Sequence, residues 1–377
     1  MATIAYLHDG TSVYDELFID HLVEKNTVYF LTFNRKPKIV PRKARLVTLH
    51  GPFVLFSSKQ QTEGFRMYLL AFLRALILGL YLRWIKPDIV LGCMATKYGF
   101  YSALLGYRPL VLIVWGSDIL LAPKRFLLFR FMAKYSLKKA DAVILDSEVQ
   151  REAAVELGCT HDKIFKFPWF DPAEISPILP RAKVREKLGW DNNKIIVSSR
   201  SHQPLYRIED LVEAIPQIVS KSPQSRFLII GEGLLTESLK KRVKELGVRR
   251  YVKFTGFLPK NEVITYVNAS DIYVSTSLSD GTSASLLEAM ALGVPAVVTE
   301  IPGNKEWIEN GYNGYLVPVN SPQSLSERVI HLVENKRHAE KIGENARGTV
   351  ETQVNWHKNM EILNNLILQL AEQRSDR

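Results

Sequence analysis

The chain has 377 residues, which is enough for two domains of ordinary size. Hydrophobic residues make up 46% and charged residues 23%, proportions that exclude a disordered or collagen-like chain. The formal net charge is +10, and the two cysteines, Cys93 and Cys159, are too few for a disulfide scaffold and favour a reduced, cytoplasmic compartment.

Short β-branched segments alternate with amphipathic ones through the first half of the chain. This pattern predicts strands at Thr3–His8, Val28–Phe33, Asp88–Leu91, Leu110–Trp115, Ala142–Asp146 and Ile164–Phe167. It predicts helices between them at Tyr14–Lys25, Gly64–Ile85 and Glu148–Leu157. Alternation of this kind builds a parallel sheet that is covered by helices on both faces.

The second of these helices contains the longest apolar run of the sequence, Met67–Leu82. The run is 16 residues long and includes Arg74, whereas a membrane span needs ~20 apolar residues. We therefore expect a buried or interfacial helix. The N-terminal residues lack a basic start followed by an apolar core, so no signal peptide is predicted.

The positive charge is concentrated in residues 51–140, which hold 13 lysines and arginines but only three acids. The rest of the chain has 36 of each kind. A local basic surface indicates an anionic partner, such as nucleic acid, a membrane or an anionic substrate. Because no recognised nucleic-acid-binding motif accompanies the charge, we do not expect nucleic acid to be the partner.

One basic helix is predicted inside this region, from Pro123 to Lys139. Four-residue spacing places cations and large apolar groups on one stripe of it: Arg130, Lys134, Lys138, Leu127 and Phe131. Such a stripe suits the headgroup layer of an anionic membrane. The alternative is a solvated helix face whose apolar members pack into the core.

The second half repeats the alternation, with predicted strands at Ile195–Ser199, Phe227–Ile230, Val252–Thr255, Ile272–Ser275, Ala296–Thr299 and Gly314–Val317. Four prolines within Phe167–Pro180 place a domain boundary there. We predict an α/β fold of two Rossmann-like parallel-sheet domains, residues 1–172 and 182–354. They would face a cleft lined by the carboxyl ends of both sheets. Residues 355–377 are predicted to form a helix that packs back toward the first domain.

The most informative segment is Ser279–Pro318, which reads SDGTSASLLEAMALGVPAVVTEIPGNKEWIENGYNGYLVP. Residues 281–283 open a predicted helix with a Ser or Thr cap, and Gly293 ends it. The free amides and the dipole at the helix start suit a diphosphate. Asp280 and Glu288 could accept hydrogen bonds from sugar and ribose hydroxyls. The alternative is a capped helix with two surface acids.

This segment resembles the donor-binding signature of glycosyltransferase family 4, whose members are retaining enzymes of the GT-B fold. That family typically shows a Glu, seven residues and a second Glu in the context EAMA-G-P. Here the run from Glu288 to Ala291, with Gly293 and Pro295, matches it. Asp280 stands at the first acidic position and is shorter than Glu by roughly 1.5 Å, which implies a donor sugar that differs in position or identity. The resemblance extends more loosely over nearly the whole chain.

The resemblance implies a role for each residue of the segment. Glu288 would bind the nucleotide ribose, and Asp280 would bind the hydroxyls of the donor sugar. The backbone of Gly281, Thr282 and Ser283 would hold the distal phosphate.

Members of the family also carry an Arg and a Lys that neutralise the diphosphate leaving group. Arg200 matches the first, and Arg207 stands at the second, where a planar guanidinium replaces the lysine ammonium. Either arginine could instead be a surface residue. The loops after two other strands would supply further donor contacts: Gly231, Gly233, Phe257 and Leu258.

In the first domain, the acceptor site is expected at the ends of two strands. His8, Asp9 and Gly10 follow the first strand, and the stretch WGSD from Trp115 to Asp118 resembles the family's His-Gly-Thr-Asp. Asp118 would orient the acceptor or take its proton. Trp115 replaces the histidine and has no basic nitrogen, so His8 could supply the imidazole. The alternatives are a core aromatic for Trp115 and a helix cap for Asp118.

The resemblance implies transfer of a hexose from a nucleotide diphosphate sugar to a hydroxyl, with retention of configuration, in polysaccharide or glycolipid synthesis. The catalytic residues would be Asp280, Arg200 and Asp118. No Asp-x-Asp motif occurs in the sequence, so no metal and no other cofactor are expected. To reach a saccharide acceptor attached to a lipid, the protein would lie on the cytoplasmic face of the membrane. A soluble acceptor is the alternative.

Two other functions fit part of the sequence. A sugar-nucleotide 2-epimerase shares the fold, but it should offer carboxylates and histidines from both domains, and Trp115 disfavours it. A non-catalytic membrane-surface binding module would explain the basic charge. It would not explain the acids around a helix start that suits phosphate.

Overall fold

The computed structural model describes residues 1–10, 13–37, 43–49 and 65–375. The chain forms two compact units. The first is Met1–Pro168 together with His357–Arg377, and the second is Trp169–Trp356.

The first unit is built on a seven-stranded sheet in the order β3-β2-β1-β4-β5-β6-β7. The strands are β1 Thr3–Leu7, β2 Thr27–Thr32, β3 Arg45–Thr48, β4 Ile89–Cys93, β5 Leu110–Ile113, β6 Ala142–Leu145 and β7 Ile164–Lys166. Every neighbouring pair is parallel. β3 was not predicted, because this edge strand is half exposed and lacks the continuous apolar run of its neighbours.

Helices of very different length cover this sheet: α1 Val13–Leu22, α2 Phe65–Ile85, α3 Gly99–Leu104, α4 Ser117–Leu120, α5 Ala122–Arg125, α6 Leu127–Lys139 and α7 Glu148–Glu156. Gly64, with which the second predicted helix begins, lies outside the described residues. A wide π turn, Met94–Tyr98, follows β4.

The prediction of one helix from Pro123 to Lys139 is wrong. Phe126 is extended, with φ −142° and ψ 135°, and it separates α5 from α6. A break of one residue barely disturbs the spacing of apolar positions, so the sequence pattern could not reveal it.

The second unit contains a six-stranded parallel sheet in the order β10-β9-β8-β11-β12-β13. The strands are β8 Lys194–Ser198, β9 Ser225–Ile230, β10 Val252–Gly256, β11 Ile272–Ser275, β12 Ala296–Thr299 and β13 Tyr315–Val317. The helices are α8 Arg181–Leu188, α9 Ile208–Lys221, α10 Thr236–Glu245, α11 Lys260–Asn268, α12 Ala284–Ala291, α13 Pro302–Lys305, α14 Pro322–Glu334 and α15 Lys336–Gln353.

The last helix, α16 Trp356–Ser375, lies almost entirely in the first unit. Asn26, in the turn between α1 and β2, donates a hydrogen bond to Asn364 of this helix at 3.2 Å. No helix of the described chain combines the length and the apolar character that crossing a membrane requires.

In the inner strands, alternate residues point to opposite faces of the sheet and are buried on both. In the second unit, Ile196 and Val274 belong to the core that includes α9 and α14, whereas Ile195 and Tyr273 belong to the core that includes α12. Burial on both faces explains why the strands read as near-continuous apolar runs. The prediction of two parallel α/β sheets is confirmed.

The strand orders fix where a site can form in each unit. β1 lies between β2 and β4, and β8 lies between β9 and β11, so the winding of each sheet reverses at these strands. Reversal leaves a crevice at the carboxyl ends of the strands, where α/β proteins bind ligands. The loops after β1, β4 and β5 meet at one crevice, and the loops after β8, β9 and β11 meet at the other.

Candidate active site

The centre of the candidate site in the second unit is Arg200, which follows β8 and is almost fully buried. Its Nη2 donates to both carboxylate oxygens of Asp280, at 2.9 and 2.8 Å. Its Nη1 donates to the hydroxyls of Ser283 and Ser285, at 2.9 and 2.8 Å. Burial disfavours the charged guanidinium, but the neighbouring Asp280 carboxylate more than compensates and raises the pKa of Arg200 above its ordinary value. The side chain therefore ties the end of β8 to the loop before α12.

Two tyrosines complete the surroundings of Arg200. Its guanidinium carbon lies 4.2 Å from the ring centre of Tyr206, an arrangement that adds a cation–π contact. The Tyr273 hydroxyl donates to Ser285 Oγ at 2.8 Å. Within the described residues, Arg200 Nε is buried without a hydrogen-bond partner. Both terminal nitrogens, Nη1 and Nη2, are engaged with acceptors inside the protein.

The start of α12 offers backbone amides to an anion. Ser283 occupies the cap position, as predicted, but no described side chain caps the helix, because the Ser283 hydroxyl accepts from Arg200 instead. Amides in the first turn of a helix have no partner within the helix, and the dipole makes this end positive. Gly303 lies against this loop, since a Cβ there would be 2.1 Å from the carbonyl oxygen of Gly281. Thr282 Oγ1 accepts from Trp307 Nε1 at 3.3 Å.

Glu288 lies further along α12 and is half-buried. Removal from water raises the pKa of its carboxyl to about 7, and the positive charges of Lys260 and Arg200 counteract only part of that shift. Its carboxylate accepts no hydrogen bond from any described residue. A half-buried carboxylate that receives no hydrogen bond from the described protein can accept two hydrogen bonds from neighbouring hydroxyls of a ligand.

The other predicted donor residues lie at the same edge of the sheet. Arg207 has a left-handed backbone, with φ 46°, and its guanidinium donates to Asp210 of α9 at 2.7 Å. Gly231 has φ +120°, and a Cβ there would be 2.7 Å from the carbonyl oxygen of Arg200. This glycine therefore allows the loop after β9 to pack on the loop after β8. Phe257, after β10, is 70% exposed.

The fold thus brings Arg200, Asp280, Ser283 and Glu288 together, and it places Gly231 and Gly233 beside them. Sequence reasoning missed three neighbours: Tyr206, Ser285 and Lys260. The only available signal for Lys260 was its position at the first residue of a helix, directly after the loop of Phe257 and Leu258.

The candidate site in the first unit contains a buried imidazole–carboxylate pair. His8 follows β1, and its Nδ1 lies 2.7 Å from Oδ2 of Asp15 on α1. Both residues are buried. The Tyr6 hydroxyl donates to the other carboxylate oxygen at 3.1 Å. The Trp115 ring stacks on His8, with 4.9 Å between ring centres and 16° between planes.

Asp9 is held by the turn that follows β4. Lys97 Nζ donates to one carboxylate oxygen at 3.0 Å, and the Tyr98 hydroxyl donates to the other at 2.9 Å. Burial opposes ionisation, but the Lys97 ammonium prevails and lowers the pKa of Asp9. The turn itself is strained, because Met94 has φ 66°. Gly10, which directly follows Asp9, has φ 64°, a conformation that glycine adopts without strain.

Asp118 is 1% exposed, and both of its carboxylate oxygens accept hydrogen bonds from backbone amides. Oδ2 accepts from the Ala95 amide at 2.6 Å, and Oδ1 accepts from the Trp115 amide at 2.9 Å. Burial raises its pKa, although these hydrogen bonds oppose the shift. The geometry is that of a residue that positions the loops after β4 and β5. This structural role differs from the roles expected from the sequence, which were to orient the acceptor or to take its proton.

Comparison with known proteins identifies the family. Residues 180–349 match the family described as Glycosyl transferases group 1, and residues 4–147 match Glycosyl transferase 4-like. An uncharacterised glycosyltransferase of Methanocaldococcus jannaschii is 30% identical over 281 residues, which cover 71% of this chain and 70% of that protein. The amylovoran biosynthesis glycosyltransferase AmsK of Erwinia amylovora is 32% identical over 274 residues, which cover 71% of this chain and 65% of that protein.

The fold also matches solved structures over the whole chain. HepE of Anabaena, in a crystal structure with UDP and glucose, has a TM-score of 0.78 and 20% identity. The match covers 98% of this chain and 100% of that one. At this level of identity the similarity shows the shared fold.

Proposed function

The chain belongs to the group 1 glycosyl transferases, and we propose that it transfers a hexose from a nucleotide diphosphate sugar to a hydroxyl with retention of configuration. One observation carries this proposal. The start of α12, which no described side chain caps, lies between a buried arginine, Arg200, and Glu288, whose carboxylate accepts no hydrogen bond from any described residue. An anion and a polyhydroxylated ring are the ligands that such an arrangement can bind.

We assign each donor contact to a group in the second unit. The diphosphate would lie at the start of α12, where the amides of Gly281, Thr282 and Ser283 and the Arg200 guanidinium stabilise the charge that develops on the leaving group. Glu288 would accept hydrogen bonds from the ribose, and the exposed ring of Phe257 would lie against the base. UDP is the proposed nucleotide because HepE, which has the same fold, was crystallised with it.

Retention would follow from attack on the same face that the diphosphate leaves. This route needs no nucleophile from the protein, and none is assigned. Asp280 would bind hydroxyls of the donor sugar after it exchanges its contact with Arg200 for one with the ligand. Arg207, which is paired with Asp210, would reach the diphosphate only by rotation of its side chain.

We propose that the acceptor is a saccharide linked to a lipid and that the first unit lies on an anionic membrane. The buried sides of α2 and α6 contribute to one core. Their outer sides expose large apolar groups, with Trp84 at 71% and Leu127 at 86% exposure. Neither helix contains an acidic residue. Exposed apolar groups among cations, without carboxylates, suit the headgroup layer of anionic lipids.

Binding of a nucleoside diphosphate tests the donor site. UDP at about 100 times its Kd should stabilise the protein by about 2.7 kcal/mol, which raises Tm by roughly 5–10 °C. GDP and ADP provide the comparison, and hydrolysis of the corresponding sugar nucleotides then identifies the hexose. Failure of all three nucleotides to raise Tm would contradict the donor site and favour a non-catalytic binding module.

Flotation with vesicles tests the membrane surface. The wild-type protein should bind vesicles of phosphatidylglycerol at low salt and detach at high salt, because surface charges are screened. A variant with Lys134→Gln and Lys138→Gln loses two cations and should bind about 30-fold more weakly. The matched control, Lys240→Gln with Lys241→Gln on α10, should bind like the wild type. Absence of binding at low salt would remove the membrane proposal.

A further inference from the structure

A groove of about 550 Å³ lies within the first unit, between α6 and the segment that joins α7 to β7. Apolar side chains and lysines line it together, among them Phe131, Tyr135, Leu157, Lys134, Lys138 and Lys163. No carboxylate is among the described residues that line it. We propose that the groove binds one molecule of an anionic phospholipid, with the phosphate at the lysines and an acyl chain against the apolar side chains. The inference rests on the proposed membrane association and adds a defined lipid site to it.

The apolar wall of the groove is open to an incoming hydrocarbon chain. Phe131 and Tyr135 lie one turn apart on α6 and stack, with 6.0 Å between ring centres and 29° between ring planes. Phe131 is 53% exposed, whereas Leu157, directly after α7, is buried. A half-exposed aromatic ring beside a buried leucine is stabilised when a hydrocarbon chain displaces water from it. The volume of the groove is within the range of protein sites that bind small ligands.

The two lysines of α6 have no counterion in the described chain. Lys134 and Lys138 are exposed and lie one turn apart, and neither forms a hydrogen bond or an ion pair with a described residue. α6 itself contains no acidic residue. By contrast, Lys240 and Lys241 of α10 pair with glutamates of their own helix at 2.8 and 3.8 Å. Compensation of a helix dipole needs only about half a positive charge, so two unpaired ammonium groups favour an anionic partner.

Lys163 supplies a third cation from a separate segment. Its Nζ donates at 3.0 Å to the carbonyl of Ala140, the residue that ends α6. This contact holds the ammonium beside α6 and leaves two of its three hydrogens for other acceptors. On the other side, Gly158 lies against the stem of Lys134, since a Cβ there would be 3.9 Å from Lys134 Cε. Cations from two segments thus converge on one groove, where a phosphate can bind several of them at once.

The position of the groove separates this lipid from the acceptor. α6 ends just before β6, and Lys163 directly precedes β7, so the groove lies at the edge of the sheet where these strands begin. The crevice of the first unit lies at the opposite edge, where β1, β4 and β5 end. α6 has 13 residues, so its two ends are about 20 Å apart. The bound phospholipid is therefore an anchor and leaves the acceptor crevice open.

Titration calorimetry with a soluble lipid tests the site. Lauroyl lysophosphatidylglycerol, kept below the concentration at which it forms micelles, should bind at one molecule per chain. Lauroyl lysophosphatidylcholine has the same chain, but its choline cation opposes the lysines, so it should bind about 10-fold more weakly. Inorganic phosphate, which lacks the chain, should bind more weakly still. Absence of saturable binding, or equal affinity for all three probes, would overturn the inference.

Thr160→Trp tests the groove without changing the charge. Thr160 is exposed and lines the groove, so an indole at this position should occupy the space of the acyl chain. The variant keeps every lysine and should bind the lysolipid at least about 10-fold more weakly. Thr160→Val, which also removes the hydroxyl but adds little volume, should bind like the wild type. Normal affinity in Thr160→Trp would overturn the inference.

Two lysine substitutions separate the site from general attraction of charge. Lys163→Gln should weaken lysolipid binding about 5-fold. Lys124→Gln, on α5 and outside the groove, removes an equal charge from the same unit and should bind like the wild type. Equal weakening by both would overturn the inference. Failure of the wild type to bind vesicles would contradict the proposed membrane association, whereas vesicle binding without saturable lysolipid binding would contradict the groove alone.

Discussion

Glu288→Gln should make the protein more stable at pH 8 and should remove most of its transfer activity. Burial raises the pKa of Glu288 to about 7, above its ordinary value of 4.5. Between these values the folded protein holds a proton that the unfolded chain has lost, so the stability of the wild type falls as the pH rises from 4.5 to 7. Above pH 7 the full cost of a charged Glu288 is present, and glutamine avoids it.

The size of the stability effect follows from the same shift. A difference of about 2.5 pH units corresponds to roughly 3–4 kcal/mol, or a rise in Tm of roughly 7–14 °C at pH 8. The difference should nearly vanish at pH 4.5, where the carboxyl is protonated in the folded state. Calorimetry at the two pH values measures it. Glu334→Gln, on an exposed position of α14, serves as the matched control and should show no such pH dependence.

The loss of activity has a separate cause, the loss of a charged hydrogen-bond acceptor. Hydrogen bonds to a charged group contribute about 1.5–3 kcal/mol, so UDP should bind roughly 10- to 100-fold more weakly to the variant. In the wild type, UDP should bind more tightly at pH 8 than at pH 6, because more of Glu288 is ionised at pH 8. A variant with unchanged UDP affinity and normal transfer would contradict the assignment of Glu288 to the ribose.

Those parts of the fold that depend on local pattern could be predicted from the sequence. Strands buried on both faces, such as β11 and β12, have apolar runs between polar loops, and their predicted bounds are confirmed. The edge strand β3 and the break at Phe126 could not be predicted. β3 is half exposed, so its sequence lacks the apolar run that marks a buried strand. The single extended residue Phe126 leaves the helical spacing of apolar positions on either side almost unchanged.

The site shows the same division between local and long-range information. The end of α12 at Gly293, with φ +69°, follows from local sequence and is confirmed. Contacts between distant segments left no local signal. Nothing near Asp15 indicates that it faces His8, and nothing near Asp118 indicates that its carboxylate binds the amide of Ala95. Only the packing of separate strand ends assigns these roles.

The ion pair of Asp280 and Arg200 should respond to its two substitutions in opposite ways. Arg200 donates to both oxygens of Asp280, so a diphosphate has to displace that carboxylate. Asp280→Asn weakens the competitor and should tighten UDP binding about 5- to 10-fold. It should also lower transfer about 100-fold, because the proposed contact with the sugar is lost. Titration calorimetry measures the binding, and Asp191→Asn, at an exposed position, is the control.

Arg200→Ala should abolish UDP binding and leave less than about 1% of transfer. It also leaves the Asp280 carboxylate partly buried without its cation, at a cost of about 3–5 kcal/mol of stability. Arg200→Lys, which keeps the charge, should recover part of the binding and so separates the phosphate contact from the loss of stability. If the pair were only a structural tie, both Asp280→Asn and Arg200→Ala would weaken UDP binding. The two substitutions should change UDP affinity in opposite directions only if the diphosphate binds the same Arg200 donors that bind Asp280 in the unliganded protein.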